Sequence, residues 1–310
     1  MDARWAAVVV NFEAGPALTA CVRSLLADDS AGSPTVVVVD NGSADGSIAA
    51  LRAACPDVTI LSGGGNVGYA AAANRGTAAT TAAVVAVCNP DLVVTPGTGA
   101  ALLAAFADPT VGAVGPRILD ESGTTYPSAR RDPSPIDAFG HAVLGRWRPR
   151  NRFTRRYREL DADPTVARDV DWCSGAALWL RREAVDAVGG WDERFFMYLE
   201  DVDLGRRLRE AGWRVRFEPA GTVVHTQGLS ARRRPVRTVV EHHRSSFRYV
   251  AKHWHGARRL LLVPAAVVLA VRCAATAAGA ALRPTGPRHG RGPAGGEGGS
   301  GGPAGSLTPR

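Results

Sequence analysis

The sequence has no C-x-x-C pair, no N-terminal run of signal-peptide length and no stretch of about twenty apolar residues. Each shortage removes a class of protein. The five cysteines, Cys21, Cys55, Cys88, Cys173 and Cys273, are scattered, so neither a disulfide framework nor a zinc site is indicated. A reducing, cytoplasmic setting is expected. The opening MDARWAAVVVNFEAG holds one short apolar run between acids, too little for a secretory leader. Residues 260–271 are apolar until Arg272 breaks the run, and an Ala-rich stretch follows to Leu282. That length predicts a buried or interfacial helix rather than a membrane span.

What is present is enough for a core: 45% of 310 residues are hydrophobic and 21% charged, which suits one large or two fused domains. The formal net charge of +8 comes from arginine. Nine arginines fall between Arg130 and Arg158 (130, 131, 146, 148, 150, 152, 155, 156 and 158), against Asp132 and Asp137 alone. Such a stretch attracts phosphates, on nucleic acid, anionic lipid or a diphosphate substrate, or else forms a solvated basic face. From Arg283 onward the chain is Gly/Pro-rich low complexity and is expected to be disordered.

The first ninety residues alternate strand and helix signals. AAVVVNF (6–12) reads as a strand, and Leu18, Val22, Leu25 and Leu26 follow at helical spacing after Pro16. TVVVVD (35–40) is a wholly apolar run ending in an acid, as buried parallel strands read. VTIL (58–61) and AAVVAV (82–87) add two more strands. Repeated βα units predict a doubly wound parallel sheet with its site at the carboxyl ends of the strands, where Asp40 and Asp91 fall. After about residue 115 a Pro- and Arg-rich stretch loosens the pattern. Order resumes near Val170 with CSGAALWL, and residues 199–211 read as a helix stopped by Gly212.

GGGNVG (63–68) matches the dinucleotide-binding pattern G-x-G-x-x-G, with Asp91 about twenty residues on. That opens a rival reading, a nicotinamide-dependent oxidoreductase. The pattern follows the third strand signal rather than the first, which counts against it. Taken together, the strand ends carry four motifs in order: NGSADGS after Asp40, GGGNVGYAAAANRG (63–76), CNPD (88–91) and GGWDERFFMYLEDVDLGRRLREAGW (189–213). In this order they resemble the family 2 glycosyltransferases of GT-A fold. YPSARRDPS (126–134), HAVLGRWRPRN (141–151) and HHRSSFRYVAKHW (242–254) are similar to actinobacterial rhamnosyltransferases. Those enzymes move L-rhamnose from dTDP-rhamnose to GlcNAc on decaprenyl diphosphate.

The resemblance implies a GT-A α/β fold with a Rossmann-like, mostly parallel central sheet, flanking helices and a C-terminal helical extension. Residues 1–115 would form the nucleotide-sugar half and 116–258 the acceptor and catalytic half. A membrane-associating segment (259–282) and the tail (283–310) would follow. The implied partners are dTDP-L-rhamnose, a polyprenyl-diphosphate-GlcNAc acceptor and an anionic membrane surface, with no nucleic acid. The place is the inner face of the plasma membrane, held peripherally. Another sugar or acceptor, as in O-antigen or exopolysaccharide synthesis, is the nearest alternative.

Residue by residue, Asp40 can accept the pyrimidine N3–H, or it can simply cap the turn with Asn41 and Ser43. Asn11, Asn66, Gly68 and Asn74 would meet the ribose and diphosphate. Departure of a diphosphate calls for a divalent cation, Mg²⁺ or Mn²⁺, which prefers one or two carboxylates plus phosphate oxygens. The family's Asp-x-Asp is here Asn89-Pro90-Asp91, which keeps Asp91 as the expected metal carboxylate; the resemblance implies His225, closing GTVVH, as the second metal or diphosphate residue, although a lone histidine at a strand end is more often structural. Trp191 could stack on the acceptor sugar or equally belong to the core, and Asp192 would serve the acceptor. Three acids, Glu200, Asp201 and Asp203, crowd four positions, with Arg206 and Arg207 a turn or two later to neutralise part of their charge. Helical spacing puts Asp201 with Leu204 and Leu208 on the inward face, and an inverting transfer needs a general base. The resemblance assigns that role to Asp201, with Glu200 beside it. Acids also favour a helix's first turn, which accounts for Glu200 and Asp203 without chemistry.

Overall fold

In a computed structural model of the chain, residues 5–132, 134–145, 147–226 and 235–281 are described. Arg146, Leu282 and the expected disordered tail lie outside the described residues. The first seven elements are β1 (Trp5–Asn11), α1 (Pro16–Ala27), β2 (Thr35–Asp40), α2 (Ser47–Ala54), β3 (Thr59–Ser62), α3 (Tyr69–Ala78) and β4 (Val84–Cys88). They reproduce the βα alternation read from the apolar runs. Then come β5 (Leu92–Val94), α4 (Thr98–Ala104), β6 (Val111–Leu119), β7 (Thr125–Tyr126), β8 (Ala129–Arg130), α5 (Pro135–Leu144), α6 (Arg152–Arg158), β9 (Arg168–Val170) and β10 (Trp172–Cys173). The rest are β11 (Ala177–Arg181), α7 (Arg182–Ala187), α8 (Glu200–Glu210), β12 (Arg214–His225), α9 (Pro235–His253) and α10 (Leu262–Ala281).

One sheet runs in the order β3-β2-β1-β4-β11-β6-β12-β5. The first four strands pair in parallel, and β12 pairs in parallel with β6. Between these blocks β11 enters antiparallel to both β4 and β6. Side chains alternate across a strand, so β1 feeds two cores. Trp5, Ala7 and Val9 pack with α1 and Leu102, whereas Val8 and Val10 pack with the alanines of α3 and with Leu204 and Leu208 of α8. A Cβ on Gly76 would stand 2.2 Å from a Val8 methyl; α3 lies too close to β1 for any side chain there.

The expected boundary at 115/116 falls inside β6, so both halves share one sheet. The Pro/Arg-rich stretch holds two helices that its composition concealed. Ser134 caps α5 by accepting from Asp137 N, ahead of Pro135 at the first helical position. Asn151 caps α6 through Phe153 N and Thr154 N. At the C-terminal end α9 closes a third core with Trp172, Phe195 and Val202 through Tyr249. α10 runs along α9 and buries none of its residues fully.

Candidate active site

The carboxyl ends of β1, β4 and β12 open onto a cleft of about 460 Å³. Six of the expected site residues line it: Asn66, Gly68, Asp91, Glu200, Asp201 and His225. Asn11, Asp40, Asn74, Trp191 and Asp192 are not in its lining.

Asp91 precedes β5 and His225 ends β12, two strands paired with His225 opposite Leu92. That register brings His225 Nε2 to 2.9 Å from Asp91 Oδ1, both side chains nearly buried. Asn89 Nδ2, in the position of the missing carboxylate, lies 3.3 Å from the same nitrogen. The pair offers one hard oxygen and one imidazole, a donor set suited to Mg²⁺ or Mn²⁺. Among the described residues no group of three His, Cys, Asp or Glu side chains could hold a metal ion. Two protein donors leave the remaining positions to phosphate oxygens and water, so the residues fit a cation that arrives with a diphosphate.

Facing them is the start of α8. Tyr198 and Leu199 both hold left-handed backbone, at φ +69° and +65°, a conformation that costs non-glycine residues of order 1–3 kcal/mol each. The strained turn delivers Glu200 and Asp201 into the cleft. It is braced from α9, where Ser245 Oγ donates to Met197 O at 2.9 Å and the His242 ring meets Tyr198 edge-on at 5.4 Å. Asp201 accepts from Gly175 N at Oδ2 and Val202 N at Oδ1, each at 2.9 Å. Burial pushes the Glu200 carboxyl well above the usual carboxylate range, and the Asp201 charge adds to it. Burial pushes Asp201 up too, and the two N–H groups and Arg130 pull it partway back. The rise comes from burial first, not from the crowding of acids that the sequence displays.

Asp203 corrects the first-turn reading most sharply. It is 0% exposed and answers Arg207 Nε at 2.7 Å, Lys252 Nζ at 2.6 Å and His253 Nε2 at 2.7 Å. Lys252 is the chain's only lysine, and with His253 it ties α9 to α8. Arg206 reaches Glu210 at 2.7 Å and Asp132 at 3.4 Å instead.

The residues outside the lining brace the cleft. Fully buried Asn11 directs Nδ2 to Asp40 Oδ1 and Ser43 Oγ, each at 3.0 Å. Asp40 also accepts from Ser43 N and Oγ, which is the turn-capping geometry. Asn74 clamps Trp191: its Nδ2 donates to Trp191 O and its Oδ1 accepts from Trp191 N, both at 2.9 Å. Its amide is therefore turned away from the cleft. Trp191 is 1% exposed and packs edge-on against Tyr69, so it has no face for a sugar to stack on. Asp192 is held by Arg194 at 2.6 Å and Lys252 at 2.7 Å. Burial works to raise its carboxyl, and these two cations more than reverse that.

The glycine-rich turn is not a dinucleotide fingerprint. The first N–H of α3, on Tyr69, donates to Phe196 O at 2.8 Å, so the helix end does not await a pyrophosphate. Gly68 sits at φ +94°, and a Cβ there would stand 2.6 Å from the same carbonyl. Its glycine serves this close approach.

Arg130 escaped the sequence reading because eight neighbouring arginines masked it. It is 8% exposed, lines the cleft, bonds Tyr126 OH at 2.6 Å and stacks over Trp172 at 5.1 Å. A buried cation opposite two carboxylates stands ready for phosphate. The only signal for it was the Tyr126 four residues before.

Residues 3–252 match the profile of the glycosyltransferase-like family 2. The N-acetylglucosaminyl-diphospho-decaprenol L-rhamnosyltransferase of Mycobacterium tuberculosis (strain ATCC 25618 / H37Rv) is 42% identical over 262 residues, 80% of this chain and 84% of that protein. The fold is similar to a mannosyltransferase from Pyrobaculum calidifontis solved with GDP-Man and Mn²⁺ (TM-score 0.54, 21% identity, 91% of this chain and 78% of that one). It is also similar to GalNAc-T7 solved with UDP, GalNAc and Mn²⁺ (TM-score 0.56, 16% identity, 82% and 48%).

Proposed function

The chain belongs to the family 2 glycosyltransferases, and we propose that it transfers L-rhamnose from dTDP-L-rhamnose to the GlcNAc of a polyprenyl diphosphate, with inversion. The observation that carries the chemistry is the convergence of Asp91 and His225 with Glu200 and Asp201 on one cleft. The acceptor and the rhamnosyl group are carried over from the name of the mycobacterial relative, and the dTDP carrier from the resemblance of residues 126–134, 141–151 and 242–254 to actinobacterial rhamnosyltransferases. This family membership displaces the oxidoreductase reading.

Asp201 is the base. Asp201 is the member of the pair that the main chain orients in the cleft, through Gly175 N and Val202 N. The acceptor hydroxyl loses its proton to Asp201, its oxygen bonds to the anomeric carbon, and the carbon–oxygen bond to the diphosphate breaks, the electron pair leaving with dTDP. Arg130 steadies negative charge in the same cleft. A divalent cation held by Asp91 and His225 would, when bound, neutralise charge on the leaving diphosphate. Asp40 would meet the pyrimidine ring, and Asn66, which lines the cleft, the ribose and diphosphate.

The protein works peripherally on the inner face of the plasma membrane. Contact with lipid is supported by the exposure of Leu260, Val263 and Val271; the helix over residues 256–281 is longer than the apolar run suggested, long and apolar enough to cross a membrane by length and composition, and the peripheral setting keeps the interfacial reading of that run. The arginines of α6 and its approaches supply charge for anionic lipid.

Thermal denaturation tests the nucleotide. dTDP should raise Tm more with Mn²⁺ than without, and more than UDP does, because only a ligand of the folded state stabilises it. Equal stabilisation by NAD, or none by dTDP, contradicts the proposal.

A further inference from the structure

α5 is inside out. A surface helix normally turns its apolar face to the core, but here Ile136, Phe139 and Val143, which share one face, are 71%, 57% and 40% exposed. Trp147, just past the helix, is 77% exposed. The inward face is the polar one. Asp137 is buried and accepts from Ser134 Oγ at 2.8 Å, His141 Nδ1 bonds Thr154 Oγ1 at 2.9 Å, and Gly140 leaves room for the Phe153 ring. α5 is therefore fastened to α6 by its polar side and offers its apolar side outward.

The rim of this patch is cationic. Arg148 and Arg150 are exposed, with no carboxylate partner among the described residues, and the side chains of Arg155 and Arg156 on α6 are more than half exposed. The patch also reaches α10. Arg272 donates to Ala142 O, a contact one residue from the exposed Val143 on α5 and one from the exposed Val271 on α10, where Val263 and Val267 are exposed too. Apolar side chains, a tryptophan and a rim of free arginines match the boundary between acyl chains and anionic headgroups. A second copy of the chain fits worse, because an isologous contact would set the same arginines against each other.

The patch adjoins the Arg130 side of the cleft. The His141 ring stands 5.4 Å from Tyr157, and Tyr157 stands 6.3 Å from the Trp172 ring and 5.8 Å from the Arg130 guanidinium, both of which line the cleft. A sugar carried on a polyprenyl diphosphate stays at the headgroup level of its bilayer. The cleft must come to it.

We propose that α5 is a lipid-inserting element: it sinks Ile136, Phe139, Val143 and Trp147 into the headgroup boundary of an anionic bilayer and so turns the Arg130 side of the cleft toward a lipid-linked acceptor. This rests on the polyprenyl-acceptor reading and adds to it the surface that meets the membrane.

Trp147 is a built-in reporter. Of the seven tryptophans it alone is exposed; Trp213 is half-buried and the others are buried. The full chain is mixed with vesicles of phosphatidylglycerol and phosphatidylcholine whose acyl chains carry bromine near the headgroup, and tryptophan emission is followed. The bound chain should lose emission, and Trp147→Phe should remove most of that loss. Ile136→Ser combined with Phe139→Ser, both on the exposed face, should weaken vesicle binding about tenfold or more while leaving Tm and stabilisation by dTDP as in wild type. The same variant should lose about tenfold in turnover on an acceptor embedded in vesicles and keep its turnover on a short, water-soluble one. Emission of the bound wild type untouched by brominated lipid overturns the proposal, as does unchanged vesicle binding by the double variant. A wild-type dimer in lipid-free solution that the double variant dissolves would give the patch to a second copy and overturns it too. Quenching without rhamnosylated product from either acceptor sinks the transfer reading and leaves α5 at the membrane.

Discussion

Replacing Asp203 tests whether Arg207, Lys252 and His253, on two helices, depend on one buried carboxylate. Were it only a first-turn acid favoured by the helix dipole, its loss would cost about 0.3–1 kcal/mol. In the structure it has no solvent exposure and serves Arg207, Lys252 and His253, whose side chains are 16%, 21% and 5% exposed. Removing the anion leaves positive charge uncompensated in a buried place, at about 3–5 kcal/mol. For a chain of this size each kcal/mol lowers Tm by roughly 2–4 °C, so Asp203→Ala should melt roughly 6–20 °C below wild type. His253→Ala should cost less, because the carboxylate keeps two partners. Burial works to raise the Asp203 carboxyl, and His253, Lys252 and Arg207 outweigh it and hold it below the ordinary range. A depressed folded value means this stability is fully present above the unfolded value of about 3.9 and is lost as pH falls through the lower folded one. The wild-type advantage over Asp203→Asn in calorimetric Tm should therefore shrink only under strongly acid conditions. A Tm for Asp203→Asn within about 2 °C of wild type at pH 7 would refute the clamp.

Asp201→Asn should keep dTDP affinity while lowering turnover about 10²-fold or more in a steady-state assay, and activity within a few-fold of wild type would move the base to Glu200. Asp192 is held by Arg194 and Lys252 outside the cleft lining. Asp91→Ala should fold normally yet lose the Mn²⁺-dependent part of its stabilisation by dTDP in thermal denaturation; retention of that increment removes Asp91 from the cation site. Binding to anionic vesicles should weaken with salt, each engaged arginine contributing about 1 kcal/mol at low salt. Sedimentation with vesicles that resists both high salt and alkaline carbonate would show a span instead.

Local signals carried the N-terminal half of the fold. TVVVVD became β2 without a residue's shift, because a strand buried on both faces is apolar throughout, and Gly212, at φ +89°, stops α8 as read. The antiparallel entry of β11 was not legible, since nothing in a short apolar strand states its direction or neighbours. α5 and α6 hid among charges, which serve the outer face of α6. In the site, Asp91 and His225 were recoverable from motif order, and their contact follows from the β5–β12 register. Asp203 was missed because the partners that bury it are distant in sequence, and Arg130 because eight neighbouring arginines masked it and part of its cover is distant too. Asp203 needs Lys252 and His253 about fifty residues on, and Arg130 needs Trp172. Of the two readings open for Trp191 the core one holds, its ring packed on Tyr69, and the Asn74 amide, which looks available, is spent on the Trp191 main chain.

The most direct measurement is product analysis with dTDP-L-rhamnose, Mn²⁺ and a short polyprenyl-diphosphate-GlcNAc. The account predicts a rhamnosylated lipid whose new bond has the anomeric configuration opposite to the donor's, formed by wild type and nearly absent with Asp201→Asn. A product with retained configuration, or transfer only from another nucleotide sugar, would contradict it.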